Sequence, residues 1–123
     1  MIQRVKIAPP YSIMFLSGEE DCEIPDIPRE SKDLVWSTPS CIVVGCYPQM
    51  DGETEITVGP AHEVDPGYSP SFEGTLETPN WAIVVSTAEG KEILEVPVAK
   101  RETALRIWQS HPQWPEKVTV GLG

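Results

Sequence analysis

Apolar positions in this chain come in short runs, separated by stretches rich in proline, glycine and acid. The most organised stretch is 80–98 (NWAIVVSTAEGKEILEVPV). Two apolar runs, 81–85 and 93–98, flank a polar centre that contains Glu89 and Gly90. Val, Ile and Trp favour strands and Gly supplies the positive φ of a tight reversal, so the stretch predicts a β-hairpin at the heart of the fold. The first run does not alternate, which predicts burial on both faces and a central strand. In the second, Leu94, Val96 and Val98 point one way, and Glu95 and Pro97 the other. Pro97 has no N–H to give to a ladder, which places that strand end at an edge or a bulge.

The rest of the chain has the same style. Residues 2–7 alternate weakly, with Val5 and Ile7 on one side, and 11–16 (YSIMFL) form an apolar strand. An acidic loop follows over 18–28, where Pro25 and Pro28 favour an extended surface segment. A short strand covers 33–37. Residues 41–47 (CIVVGCY) are a second core strand, in which Gly45 signals a bulge or a close backbone approach. Residues 53–58 alternate cleanly, Thr54, Ile56 and Val58 against Glu53, Glu55 and Thr57, which predicts one wet face. With the turn at 48–52 these two strands read as a second hairpin. A patternless loop spans 59–70, and Phe72 and Leu76 mark a half-buried strand over 71–78. Residues 101–109 (RETALRIWQ) fit either period, and strand is favoured because its surroundings are strand. A rigid loop (SHPQWPE, 110–116) leads to a last strand over 117–122. Nine or ten short strands with little or no helix predict an all-β, antiparallel β-sandwich, Greek-key or jelly-roll-like, forming a single domain over 1–123.

Composition narrows this picture. Thirteen prolines spread along 123 residues argue against long helices. No run of about 18 apolar residues predicts a membrane span, and the N-terminal residues lack the pattern of a signal peptide, so the expected location is the cytoplasm. The net charge is −10 and is unevenly placed. Between Asp33 and Glu89 there is no Lys or Arg, but there are nine acids, among them Asp51, Glu53, Glu55, Glu63 and Asp65. Such a field repels nucleic acid and anionic membranes, and favours a basic protein partner or solubility. Cys41 and Cys46 are five apart in one strand. They therefore lie on opposite faces, roughly 16 Å apart, too far for a disulfide.

Nucleotide, zinc-protease, hydrolase and zinc-ribbon motifs are all absent. The cysteines and histidines lack the tight paired spacing of a structural zinc site, so neither a metal nor a cofactor is expected. Trp108, His111 and Trp114 crowd into seven residues and form the strongest aromatic binding patch, with His62 and Tyr68 of the long loop next. The competing role for the tryptophans is a lid over the sandwich.

Three functions stay in view. The first is a non-enzymatic binding module that contacts a partner, or a second copy of itself, through Trp108, His111, Trp114, His62 and Tyr68. The second is an acidic inhibitor or immunity-type protein for a basic enzyme such as a nuclease, acting through Asp51, Glu53, Glu55, Glu63 and Asp65. The third is a small hydrolase or metal-dependent enzyme built on His62 and His111; the balance leans away from an enzyme. Over the last third of the chain, a strand ending in Val96-Pro97, a short loop, a strand ending in Trp108, a proline-containing loop and a terminal strand loosely resemble small bacterial nuclease inhibitors of the competence-protein J type. That resemblance implies a bacterial inhibitor, and adds weight to the second function.

Overall fold

Alternation along the strands sets the architecture, because each strand turns one set of side chains to the core and the other outward. The computed structural model describes residues 2–27 and 33–123. Among them are ten strands: β1 (Gln3–Ile7), β2 (Ile13–Ser17), β3 (Val35–Ser37), β4 (Cys41–Gly45), β5 (Thr54–Pro60), β6 (Phe72–Glu77), β7 (Ala82–Thr87), β8 (Glu92–Pro97), β9 (Glu102–Gln109) and β10 (Lys117–Leu122). There is also one turn of α-helix, α1 (Ala61–Val64), and a 3-10 turn at Pro10–Ser12. The acidic loop has no regular structure beyond a turn near its start; its last expected residue, Pro28, lies outside the described residues. Among the described residues no helix is long and apolar enough to cross a membrane.

The strands form two five-stranded sheets. One, the β5 sheet, has the order β1-β5-β10-β9-β6; the other, the β2 sheet, has the order β3-β4-β2-β7-β8. Their inner faces share one core. Met14, Leu16, Ile42, Val44, Ile83, Val85 and Val96 come from the β2 sheet. Ile56, Val58, Leu76, Leu105, Ile107, Val118 and Val120 come from the β5 sheet. Each such side chain contributes about 1.5–3 kcal/mol by leaving water. The all-β sandwich is as the strand rhythm predicts, and 101–109 is strand.

The central hairpin is β7–β8, with Gly90 at φ 82 in its turn. β8 is an edge strand, where Pro97 removes no hydrogen bond that the sheet needs, and the register shifts between Val85 and Ser86. β7 begins one residue later than its apolar run, because Trp81 sits at φ 61 outside the strand. Nor is β7 buried on both faces as its lack of alternation predicted: Ile83 and Val85 enter the core, while Ala82, Val84 and Ser86 are only half-buried on the outer face. β4 is buried along its whole length. Gly45 makes the close approach that its position suggested: its N–H donates to Leu34 O at 2.7 Å, and a Cβ there would lie 3.0 Å from the Leu34 side chain.

Three further expectations need correction. β4 and β5 are not a hairpin, since they lie in different sheets and the chain between them arches over the core. A turn sequence specifies a reversal, not a destination, and both strands carry an apolar face that the core takes from opposite sides. The Tyr47 N–H donates to Thr54 Oγ1 at 3.0 Å and ties the arch together. The outer face of β5 is not uniformly wet either. Thr57 and Gly59 are buried there, and Gly59 lies against Ile2 and Val64. Finally, the sheets are not wholly antiparallel, because β10 runs parallel to β5, with Lys117 opposite Glu55 and Leu122 opposite Pro60. A parallel neighbour needs a long crossover, which the chain from α1 to β9 supplies.

Gln109, near the end of β9, joins the two sheets. Its Nε2 donates to Gly45 O at 3.0 Å and to Leu34 O at 3.2 Å, while its Oε1 accepts from Ser71 Oγ at 2.8 Å. Replacing Gln109 by Leu keeps the bulk and removes the amide. The expected cost is about 1–3 kcal/mol, because part-buried carbonyls lose their donor. Urea unfolding of the two proteins measures it, and an unchanged midpoint would show that Gln109 does not clamp the sheets.

Candidate functional site

The outer face of the β2 sheet carries a groove of about 640 Å³. Its floor is made by the outward positions of β2 and β7, which include Ser17, Ala82, Val84 and Ser86. Those four side chains are small, and Phe15 of β2, in register opposite Ser86, stands on the same floor as its one large apolar side chain. β8 supplies one wall: in register, Glu95 stands opposite Val84 and Glu92 opposite Ser86. The chain leaving β2 supplies the other, with Glu19 and Glu20 on it. Four carboxylates therefore ring the groove, and among the described residues no Lys or Arg lines it. Charges of one sign around a concave, partly apolar surface focus the field into the concavity. A second, smaller cleft of about 350 Å³ between Pro60, Val96, Pro97 and Leu122 has Lys100 as the one charged side chain among its described lining residues.

Short polar residues hold the loop wall in place. The Glu23 N–H donates to Ser40 Oγ at 2.8 Å, and Thr38 Oγ1 donates to Glu23 O at 2.5 Å. Thr38 is fixed in turn, since its N–H donates to Cys41 O at 2.8 Å and its Oγ1 accepts from the Cys41 N–H at 3.1 Å. This docking brings Cys22 against Cys41, and both line the groove. Burial, and then the neighbouring Cys22, push the Cys41 thiol up to about 12. Cys46 belongs to the core on the other face of the sheet, where burial pushes its thiol up to about 12 as well. All three thiols are free.

The binding residues expected from the sequence divide into three places. Trp108 is 1% exposed. Leu105 and Ile107 point to the core, so Trp108 faces outward from the β5 sheet, but the segment after β5 covers it. Ala61 lies beside it over Gly121, and the Trp108 Nε1–H donates to Tyr68 O at 2.8 Å. His111 and Trp114 do come together. Their rings stack at 5.3 Å with an interplanar angle of 22°, and His111 Nδ1 accepts the N–H groups of Gln113 (3.1 Å) and Trp114 (3.0 Å). This turn presents Trp114 at 55% exposure. His62 and Tyr68 are exposed on the covering segment.

The geometry does not gather His62 and His111. His62 follows the end of β5 that lies beside the end of β10, whereas His111 precedes the start of β10. They are separated along that strand by on the order of 15 Å. Among the described residues no three His, Cys, Asp or Glu side chains are grouped so as to hold a metal ion.

The acidic residues between Asp33 and Glu89 are dispersed. Asp51 and Glu53 sit in the arch between the sheets, and Glu63 and Asp65 in and just after α1. Glu55 has Lys6 opposite it on one neighbouring strand and Lys117 on the other. Across this outer face Arg106 pairs with Glu73 at 3.3 Å. The outer β5 sheet is therefore mixed in charge, and the groove on the β2 sheet is where one sign accumulates. Two signals pointed to it: the acidic run Glu19-Glu20-Asp21 and the outward placement of Glu95 on an edge strand.

No family model matches this chain, and no curated protein matches it in sequence. Among solved structures, it is similar to the crystal structure of ComJ, inhibitor of the DNA degrading activity of NucA, from Bacillus subtilis. The likeness covers 99% of this chain and 97% of that chain, with a TM-score of 0.68 and 12% sequence identity. At that identity the likeness is one of fold.

Proposed function

We propose that this chain is a protein-binding inhibitor of an enzyme with a cationic surface, and that it docks through the carboxylate-rimmed groove of the β2 sheet. The observation that carries the reading is the groove itself, ringed by Glu19, Glu20, Glu92 and Glu95 with no base among its described lining residues. The small side chains at Ser17, Ala82, Val84 and Ser86 leave room for the long side chains of arginine or lysine, and Phe15 gives their apolar stems a surface to lie on. A second copy of the chain would bring like charge to like, so the reading favours a different, basic partner. The fold likeness to a nuclease inhibitor supports a nuclease as the first partner to try. The exposed Trp114, stacked on His111 in the β9–β10 connection, is the favoured apolar contact, separate from the charged groove.

The test is inhibition of a nuclease, starting with NucA, by the purified chain at rising salt. The expected result is inhibition that weakens at least about 10-fold between 50 and 300 mM salt, as screened charges require. The variant carrying Glu19→Gln, Glu20→Gln, Glu92→Gln and Glu95→Gln together is expected to bind about 10–100-fold more weakly, mainly through slower association. Trp114→Ala separates the apolar contribution. If every basic protein captured at low salt binds the four-Gln variant as tightly as the parent chain, the groove is not the docking surface.

A further inference from the structure

We propose that Cys22 and Cys41 are a redox couple, which a small-molecule disulfide such as oxidised glutathione converts into a bridge pinning the acidic wall of the groove to its floor. Both cysteines line the groove, and a built arrangement holds their two chain segments side by side. Glu23 and Ser40 are hydrogen-bonded at 2.8 Å, and Cys22 and Cys41 are the next residues outward on the two chain segments. Thr38 closes the same junction from the other side through Glu23 O and the Cys41 N–H. The third cysteine is excluded: Cys46 faces the core, with its Sγ directed at Val44 O at 3.6 Å.

Exposure sets the order of the chemistry. Cys22 is half-buried and Cys41 is buried, so Cys22 reacts first with solvent reagents. The Cys22 thiolate attacks one sulfur of oxidised glutathione; a Cys22–glutathione bond forms and one glutathione thiolate leaves and takes up a proton. The Cys41 thiolate then attacks Cys22 Sγ. The Sγ–Sγ bond forms, the bond to glutathione breaks, and the second glutathione leaves and is protonated. Two electrons and two protons have passed from the protein thiols to one glutathione disulfide, which becomes two thiols. Burial holds the Cys41 proton on, so the second step is expected to quicken as pH rises and its thiolate fraction grows. A bridge between residues 22 and 41 closes a ring that contains the docked loop and constrains it in the unfolded chain as well as the folded one.

The experiment uses the intact chain, without any partner, incubated with oxidised glutathione and mapped by mass spectrometry of unreduced peptides. The expected product has lost two hydrogens, carries a Cys22–Cys41 link, and keeps one thiol, Cys46, that reacts only after denaturation. Its loop is expected to be cut at least several-fold more slowly by a glutamate-specific protease at Glu19, Glu20 and Glu23 than that of the reduced chain. In Cys41→Ser, glutathione is expected to stay on Cys22. A wild-type chain that also stops with glutathione on Cys22, that links a different pair, or that does not react would overturn the proposal, whatever the groove binds.

Discussion

Replacing Trp108 by alanine is expected to destabilise the protein by about 3–5 kcal/mol, the usual cost of deleting a buried tryptophan. For a fold of ordinary stability that is a large share of the whole. The ring fills the space between the outer face of the β5 sheet and the segment that returns over it. Gly121 makes that space: a Cβ at its position would lie 2.7 Å from the Trp108 ring and 2.9 Å from Ala61 Cα. Without the indole, the segment from Ala61 onward loses its floor, and Tyr68 O loses its donor. Trp108→Phe keeps most of the apolar surface and loses the N–H, for which about 0.5–1.5 kcal/mol is expected on the hydrogen bond alone. Denaturant unfolding of the three proteins, with amide exchange over 61–70, reads both effects. A Trp108→Ala protein as stable as the parent, with 61–70 equally protected, would mean that the indole is not an anchor.

Gly18→Ala adds only a methyl group, yet it is expected to cost about 3 kcal/mol, at the upper end for overpacking a close contact. The reason is approach, not backbone conformation. A Cβ on Gly18 would stand 2.0 Å from Glu77 O and 2.8 Å from Thr78 Cα, both backbone atoms of the opposite sheet's exit. That backbone has little freedom to retreat. The Glu77 N–H donates to Pro39 O at 2.8 Å, the Thr78 N–H to Arg101 O at 2.7 Å, and Thr78 Oγ1 to Lys100 O at 2.6 Å. The end of β2 must therefore move instead, and with it Glu19 and Glu20. Gly18→Ala is expected to weaken partner binding as well as stability, while Gly67→Ala, which strains a backbone at φ 94 but meets nothing within 4 Å and does not line the groove, is expected to cost stability and leave binding unchanged. Equal binding by Gly18→Ala and the parent chain would separate the groove from its packing.

What the sequence made legible follows from rules that act over a few residues. The β7–β8 hairpin was visible because two apolar runs met at Gly90. The edge position of β8 was visible because Pro97 has no donor. The opposite faces of Cys41 and Cys46 followed from a period of two, and the structure puts one thiol in the groove and the other in the core. What stayed hidden depends on partners far along the chain. The turn between β4 and β5 reads the same whether it joins one sheet or two. Glu55 looks like part of an acidic stripe until register places Lys6 and Lys117 beside it. Trp108 looks exposed until a segment with no hydrophobic pattern is seen lying over it. The groove joins Glu19 and Glu20 to Glu92 and Glu95, and only the pairing of β2 with β7 and of β7 with β8 brings them together.

The place of β10 has a consequence for how the chain reaches its fold. Every strand of the β2 sheet lies within residues 13–97, so that sheet can assemble while the ribosome is still at work. The β5 sheet cannot. Its ladders β1–β5 and β6–β9 have no strand in common until residues 117–122 slot between β5 and β9. Until then two open strand edges and one bare apolar face are on offer to any neighbour, and non-local pairings of this kind are slow to form. These six residues, made after the other nine strands, thus decide whether a nascent chain closes on itself or sticks to another.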